Sequence, residues 1–226
     1  MIRRSTAAVA ALSLLAGCAA PVPGRSPVVV TLGDSVPAGT NCGCTPFPDL
    51  FAGQLTPPGT SINRAEPGYT TADVQDQISA AGVRADLRRA ATVIVMAGAN
   101  DMAATFDDRD DYAATAQRIG ATMTAIINRV RAEHGTAPVD IVVLGYWNVV
   151  SDGTVGLSRY GADGLAEARR ATAYCNDALR RAADRAGARY LDTSVVFRDD
   201  PTALLAPDGD HPDAAGHRAI AGLLSD

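Results

Sequence analysis

The chain contains no lysine. All 20 of its basic residues are arginine, set against 25 acidic residues for a formal net charge of −5 over 226 residues. An acidic chain without a lysine-rich face has little with which to track a phosphate backbone, and nucleic acid is excluded as an expected partner. Nor does any shift in composition divide the chain. With 47% hydrophobic residues it is long enough to bury one substantial core, so one domain with an N-terminal appendage is expected. Long hydrophobic runs are absent too. The apolar stretch Ala7 to Leu15 is far shorter than the roughly 20 residues of a membrane-spanning helix.

That stretch has another use. It follows Met1-Ile2-Arg3-Arg4 and ends in Leu15-Ala16-Gly17-Cys18, and a basic start, a short apolar middle and a small-residue exit describe an export signal. Leu-Ala-Gly-Cys resembles the bacterial lipobox, whose cysteine is lipidated and becomes the new first residue; the alternative is an ordinary signal in which Cys18 is incidental. On the first reading residues 1–18 are a lipoprotein signal peptide, 19–27 a proline-containing tether, and 28–226 a domain held at the outer face of the cell membrane by a lipid on Cys18. On the second the domain is secreted.

Cysteine is scarce. Beyond Cys18 there remain Cys42, Cys44 and Cys175, an odd number that cannot all pair in an oxidising compartment. Cys175 shares a helical stripe with Leu165, Ala168, Thr172, Leu179 and Ala186, which suits a buried small hydrophobe. Cys42 and Cys44 either close a tight loop on each other, or one reaches Cys175. A Cys-x-Cys metal site without nearby ligands is the weaker idea.

After Pro27, strand-like and helix-like segments alternate. Apolar runs occupy Val28–Leu32, Ser61–Ala65, Thr92–Ala97, Ile141–Tyr146 and Arg189–Thr193. Between them lie a short helix at about Val74–Arg88, and a clear one in which Tyr112, Ala116, Ile119, Met123, Ile126 and Val130 recur three and four apart up to Gly135. A third runs from about Asp163 to Ala186 with Gly187 after it, and a last one opens at Pro212 and Asp213. The strands read as unbroken apolar runs because a parallel sheet covered by helices buries both faces of each strand. The expected fold is α/β: a three-layer α/β/α domain around a central parallel sheet of about five strands. In such sheets the chemistry collects beyond the carboxyl ends of the strands.

Four such places carry suitable groups. The first strand delivers Gly33-Asp34-Ser35, and a serine becomes a nucleophile once a base takes its proton and donors hold the oxyanion. The loop after the second run holds Gly68, whose missing side chain lets a backbone N–H approach a ligand. After the third comes Gly98-Ala99-Asn100-Asp101, with an amide suited to an oxyanion. Near the C-terminus, Asp208 precedes His211 by three residues, so that its carboxylate can accept Nδ1–H and leave Nε2 as a base. Each alone is ordinary turn or loop chemistry. His134 reads as a helix-end residue and His217 as structural, Asp34 as a partner of loop backbone, and a metal set of Asp210, His211, Asp213 and His217 follows no defensible ligand spacing.

Together and in order, Gly33-Asp34-Ser35, Gly68, Gly98-x-Asn100-Asp101 and Asp208-x-x-His211 resemble the four blocks of the SGNH hydrolases, the GDSL-type esterases and lipases, over Val28 to His217. The one departure is Val36 where the family's short name has Leu. The resemblance implies a flavodoxin-like fold, no metal and no organic cofactor, Ser35 as nucleophile, His211 as base and Asp208 as its orienter. It also implies an oxyanion hole from the Ser35 and Gly68 N–H groups and the Asn100 amide. Short connections without an apolar lid point to small-molecule or cell-envelope esters. Tyr69, Tyr146 and Trp147 either edge the pocket or belong to the core, and the acidic run Phe106 to Asp111 reads as a solvated loop. Variants are thioester cleavage and deacetylation of carbohydrate; a different class is a surface lipoprotein that binds without turnover.

Overall fold

The five apolar runs form five strands in a computed structural model, which describes residues 26–108, 111–198 and 201–225. The signal segment 1–18 with Cys18, and the tether up to residue 25, lie outside the described residues. Strands β1 (Val28–Gly33), β2 (Thr60–Asn63), β3 (Thr92–Met96), β4 (Asp140–Leu144) and β5 (Arg189–Leu191) pair in the order β2-β1-β3-β4-β5, all parallel. Every residue of β3 is buried, as are Ile141 to Leu144 of β4, whereas the edge strands β2 and β5 are only partly covered. The unbroken apolar runs thus mark the strands that sit between two helical layers.

The order 2-1-3-4-5 is that of a doubly wound, flavodoxin-like sheet. The chain steps from β1 outward to β2, then returns past β1 to β3, and right-handed crossovers place the two sets of helices on opposite faces. Helix α1 (Ser35–Ala38) is a single turn and α2 (Phe47–Gln54) packs on β2 and on α9 (Ala214–Ser225). On the other side α3 (Thr71–Gln77), α4 (Ala81–Leu87), α5 (Ala99–Asp108) and α7 (Gly153–Ala186) pack on α6 (Tyr112–His134). The stripe Ile119, Met123, Ile126, Ile127 and Val130 of α6 is fully buried. Helix α8 (Ser194–Phe197) completes the set, and no helix among the described residues is long and apolar enough to cross a membrane.

Four boundaries differ from expectation for local reasons. The helix expected over 74–88 is two, because the chain breaks after Ile78 and restarts at Ala81. Helix α7 begins ten residues early, at Gly153, and bends at Gly161, whose φ of 70° and ψ of 178° only glycine adopts easily. Pro212 lies in a bridge to Leu205 rather than in α9, and Asp213 caps that helix by accepting from the N–H of Ala215 and Gly216. Asn100 and Asp101 stand in the first turn of α5, not in a loop. In the acidic run, Phe106 to Asp108 belong to the end of α5, and Asp111 caps α6 through the N–H of Ala113 and Ala114.

Candidate active site

The return of the chain past β1 opens a crevice between the ends of β1 and β3, the point where ligands bind in such sheets. Ser35 leaves β1 at one side of it and Asn100 leaves β3 at the other. Their loops are tied together by backbone. Asp34 N–H donates to Met96 O at 3.1 Å and Glu66 N–H donates to Gly33 O at 3.0 Å, so the exits of β1, β2 and β3 form one cross-linked edge.

Asp34 directly precedes Ser35. It is 1% exposed and caps α1, its Oδ1 accepting from Val36 N–H at 3.0 Å and its Oδ2 from the Tyr146 hydroxyl at 2.5 Å. Burial pushes its carboxyl up to about 7, against those two hydrogen bonds, which pull it down. Asp34 therefore partners loop backbone as its sequence position suggests, and Tyr146 is the partner that the sequence did not reveal. Tyr146 and Trp147 are both buried, the latter stacked on Phe197 with ring centroids 4.0 Å apart. They still reach the wall of a cavity of about 620 Å³ shared with Asn176 and Arg180.

Asn100 donates one amide hydrogen to Tyr69 O at 2.8 Å, which fixes its rotamer and leaves the second amide hydrogen available. Next to that carbonyl is Gly68, at the centre of a turn closed by Tyr69 N–H on Glu66 O; its φ is 84° and a side chain added there would meet open space. Asp101 braces the same corner, accepting from the N–H and hydroxyl of Thr71 at 2.9 and 2.8 Å.

On the loop leading into α9, His211 Nδ1 lies 2.7 Å from Asp208 Oδ2. Desolvation raises the Asp208 carboxyl, but hydrogen bonds from the Asp210 N–H, the Asn41 amide, the His211 N–H and the His211 ring outweigh it, and the group is held down at about 2. A carboxylate fixed in its charged form fixes the His211 tautomer, with Nε2 free to take a proton. No hydrogen bond joins Ser35 Oγ to His211 among the described residues. The link between their loops runs from Ser35 O to Thr40 N–H at 3.0 Å, and from Asn41 to Asp208.

His217 has a structural place. It is buried, burial holds its ring down at about 4, and its Nδ1 accepts from Phe47 N–H at 3.1 Å. Cys42 and Cys44 form a disulfide and Cys175 is free and buried, one of the arrangements that the sequence left open. The two sulfurs and a ring nitrogen of His217 lie within 4.8 Å of one another. As a metal site the group does not fit: the thiolates are spent on the disulfide, and a ring that accepts at Nδ1 carries its proton on Nε2. Asp213, in the metal set considered from the sequence, is occupied as a helix cap.

A cavity of about 800 Å³ lies beyond this edge, between the end of α5, the start of α6 and α7, with Phe106, Tyr112, Tyr160 and Tyr174 among its walls. Neither cavity has Ser35, Gly68, Asn100 or His211 in its lining.

The doubly wound sheet thus carries Ser35 at its switch point, with the Asp208–His211 pair bonded through Asn41 to the loop that follows Ser35. The model of the GDSL-like lipase/acylhydrolase family matches residues 31–219, and the chain belongs to that family of hydrolases. The fold is similar to that of a lipase from a goat rumen metagenome, with a TM-score of 0.76 and 16% identity over 88% of this chain and 96% of that one. It is also similar to phospholipase A1 from Streptomyces albidoflavus (TM-score 0.63, 22% identity, 89% and 99% covered). A third likeness is to an acetylxylan esterase from Geobacillus stearothermophilus (0.64, 18%, 89% and 93%). No curated protein matches the chain by sequence.

Proposed function

We propose that the protein hydrolyses carboxylic esters, short-chain acyl or acetyl esters first, through an acyl-enzyme on Ser35. Ser35 Oγ attacks the ester carbonyl while His211 Nε2 takes its proton, and Asp208 balances the imidazolium through Nδ1–H. The N–H groups of Ser35 and Gly68 and the free amide hydrogen of Asn100 receive the oxyanion. His211 then protonates the departing alcohol, and water repeats the sequence to release the acid. The observation that carries the reading is the Asp208–His211 pair at 2.7 Å, with its carboxylate bonded to the loop that follows Ser35. Short connections without an apolar lid favour small or surface-exposed esters, and the fold neighbour named as an acetylxylan esterase keeps carbohydrate acetyl esters in the test.

The site belongs, on this reading, to an exported protein anchored through a lipid on Cys18. The Cys42–Cys44 disulfide supports an oxidising compartment. Fractionation of cells expressing wild type and Cys18→Ser tests the anchor: wild type in the membrane fraction and the variant outside it is the expected result.

Chromogenic esters of increasing acyl length, with an acetylated oligosaccharide, test the activity on wild type and Ser35→Ala. The expected result is fastest turnover at the shortest acyl chains and a loss of several orders of magnitude in Ser35→Ala. Absence of Ser35-dependent hydrolysis on every ester would leave a binding module.

A further inference from the structure

The carboxylate of Asp208 accepts four hydrogen bonds, two on each oxygen. Oδ1 takes the N–H groups of Asp210 and His211, at 2.9 and 3.1 Å, and Oδ2 takes the His211 ring and the amide of Asn41, at 2.7 and 2.5 Å. The first three donors belong to Asp208's own loop and cannot tell that loop where the nucleophile is. The fourth comes from 167 positions away in the chain, six residues after Ser35. We infer that Asn41 is a positioning residue of the proposed hydrolase site, setting the Asp208–His211 unit in register with Ser35. The inference rests on the proposed function.

The backbone around Asn41 is built to hold that amide still. Asn41 has a φ of 58°, the one positive value at a non-glycine position among the described residues, a conformation that Asn tolerates better than most. On one side Thr40 N–H donates to Ser35 O and Cys42 N–H to Gly39 O. On the other, the Cys42–Cys44 disulfide lies beside His217, and Phe47 N–H donates to the His217 ring. His217 is on α9, the helix that begins directly after the His211 loop. The loop carrying Asn41 is thus pinned to the nucleophile at one end and to the base's own helix at the other. Asn41 closes the circuit at Asp208.

Two variants separate the amide from the backbone. Asn41→Gly keeps the left-handed conformation and removes the donor, while Asn41→Asp keeps shape and conformation but turns a donor into a second carboxylate facing Asp208. Both are assayed as purified full-length chains on a short-chain chromogenic ester, beside wild type and Ser35→Ala. The expected result for Asn41→Gly is a fall of about tenfold in kcat with KM and thermal midpoint unchanged, and a larger fall for Asn41→Asp. A kcat in Asn41→Gly within twofold of wild type, or a fall accompanied by a matching loss of thermal midpoint, overturns the assignment. If Ser35→Ala abolishes turnover in that case, the hydrolase reading stands and only the role of Asn41 is lost. If Ser35→Ala retains full turnover, both fall together.

Discussion

The Tyr146 hydroxyl, delivered by the exit of β4, donates to the buried carboxylate of Asp34 beside Ser35. The contact crosses β3, because β1 and β4 are not neighbours in the sheet. A buried carboxylate needs every donor it has, and removing one strands an acceptor at a cost of about 1–3 kcal/mol. Tyr146→Phe is expected to lower stability by that amount, measured by denaturant unfolding. The pH dependence has a fixed sign. Burial raises Asp34 to about 7 from an unfolded value near 3.8, so its contribution is complete below about 4 and is lost as pH rises toward 7. The Asp34→Asn variant is expected to lack that decline, giving a flatter plot of thermal midpoint against pH over the same window.

Asp208 behaves in the opposite way. Its carboxyl is held at about 2, below the unfolded 3.8, and its contribution to stability is present above about pH 4 and lost as pH falls through about 2. The side chain is 29% exposed, which keeps the effect modest. Asp208→Asn is expected to cost roughly 10³–10⁴ in kcat, because an amide in place of the carboxylate no longer fixes the His211 tautomer. The gap in thermal midpoint between wild type and variant is expected to close between about pH 4 and pH 2. A kcat within tenfold of wild type would remove Asp208 from the mechanism.

Asn100 has two amide hydrogens, and one is committed to Tyr69 O. Asn100→Ala therefore removes both the proposed oxyanion donor and the tie that keeps the Gly68 turn beside it. Turnover is expected to fall by roughly 10²–10³, about 3–4 kcal/mol. Asn100→Asp tests the sign: a carboxylate at that position repels the oxyanion, and a kcat equal to or above that of the alanine variant would move the oxyanion role elsewhere.

Interior strands and long amphipathic helices were legible in the sequence because burial leaves a local mark. Val93 to Met96 read as an unbroken apolar run since both faces of β3 are covered, and the spacing of Ile119, Met123 and Ile126 follows from one buried face of α6. Ser35, Asn100, Asp208 and His211 stood out in the sequence as reactive residue types in turn-rich segments, and the structure bonds the Asp208–His211 pair through Asn41 to the loop after Ser35. The helix that holds Asn100 was not legible, because α5 opens at Ala99 without a Ser, Thr or Asp cap to announce it. The contacts of Tyr146 and Asn41 were invisible for a different reason. Their partners, Asp34 and Asp208, lie 112 and 167 positions away, and nothing local to either residue encodes a contact that only the assembled sheet creates.

Gly33 is the last residue of β1, one residue before the cap of the turn that Ser35 opens. A Cβ built on it lies 2.3 Å from Met96 O and 2.8 Å from the Pro37 ring, and Met96 O is the acceptor of Asp34 N–H. No real side chain tolerates 2.3 Å, so Gly33→Ala must push β1 away from β3 at the end that carries Ser35. Overpacking of this kind costs about 1–3 kcal/mol, and here it also displaces Ser35 relative to Asn100. The expected outcome is a lower thermal midpoint together with a fall in kcat of about a hundredfold, since a shift of about an ångström at a reacting group is enough for that. Gly222→Ala, at a glycine of α9 whose added Cβ meets nothing within 4 Å, serves as the matched control and is expected to leave both quantities unchanged or to raise stability slightly. If Gly33→Ala matches that control, the spacing of β1 and β3 is not what places the serine.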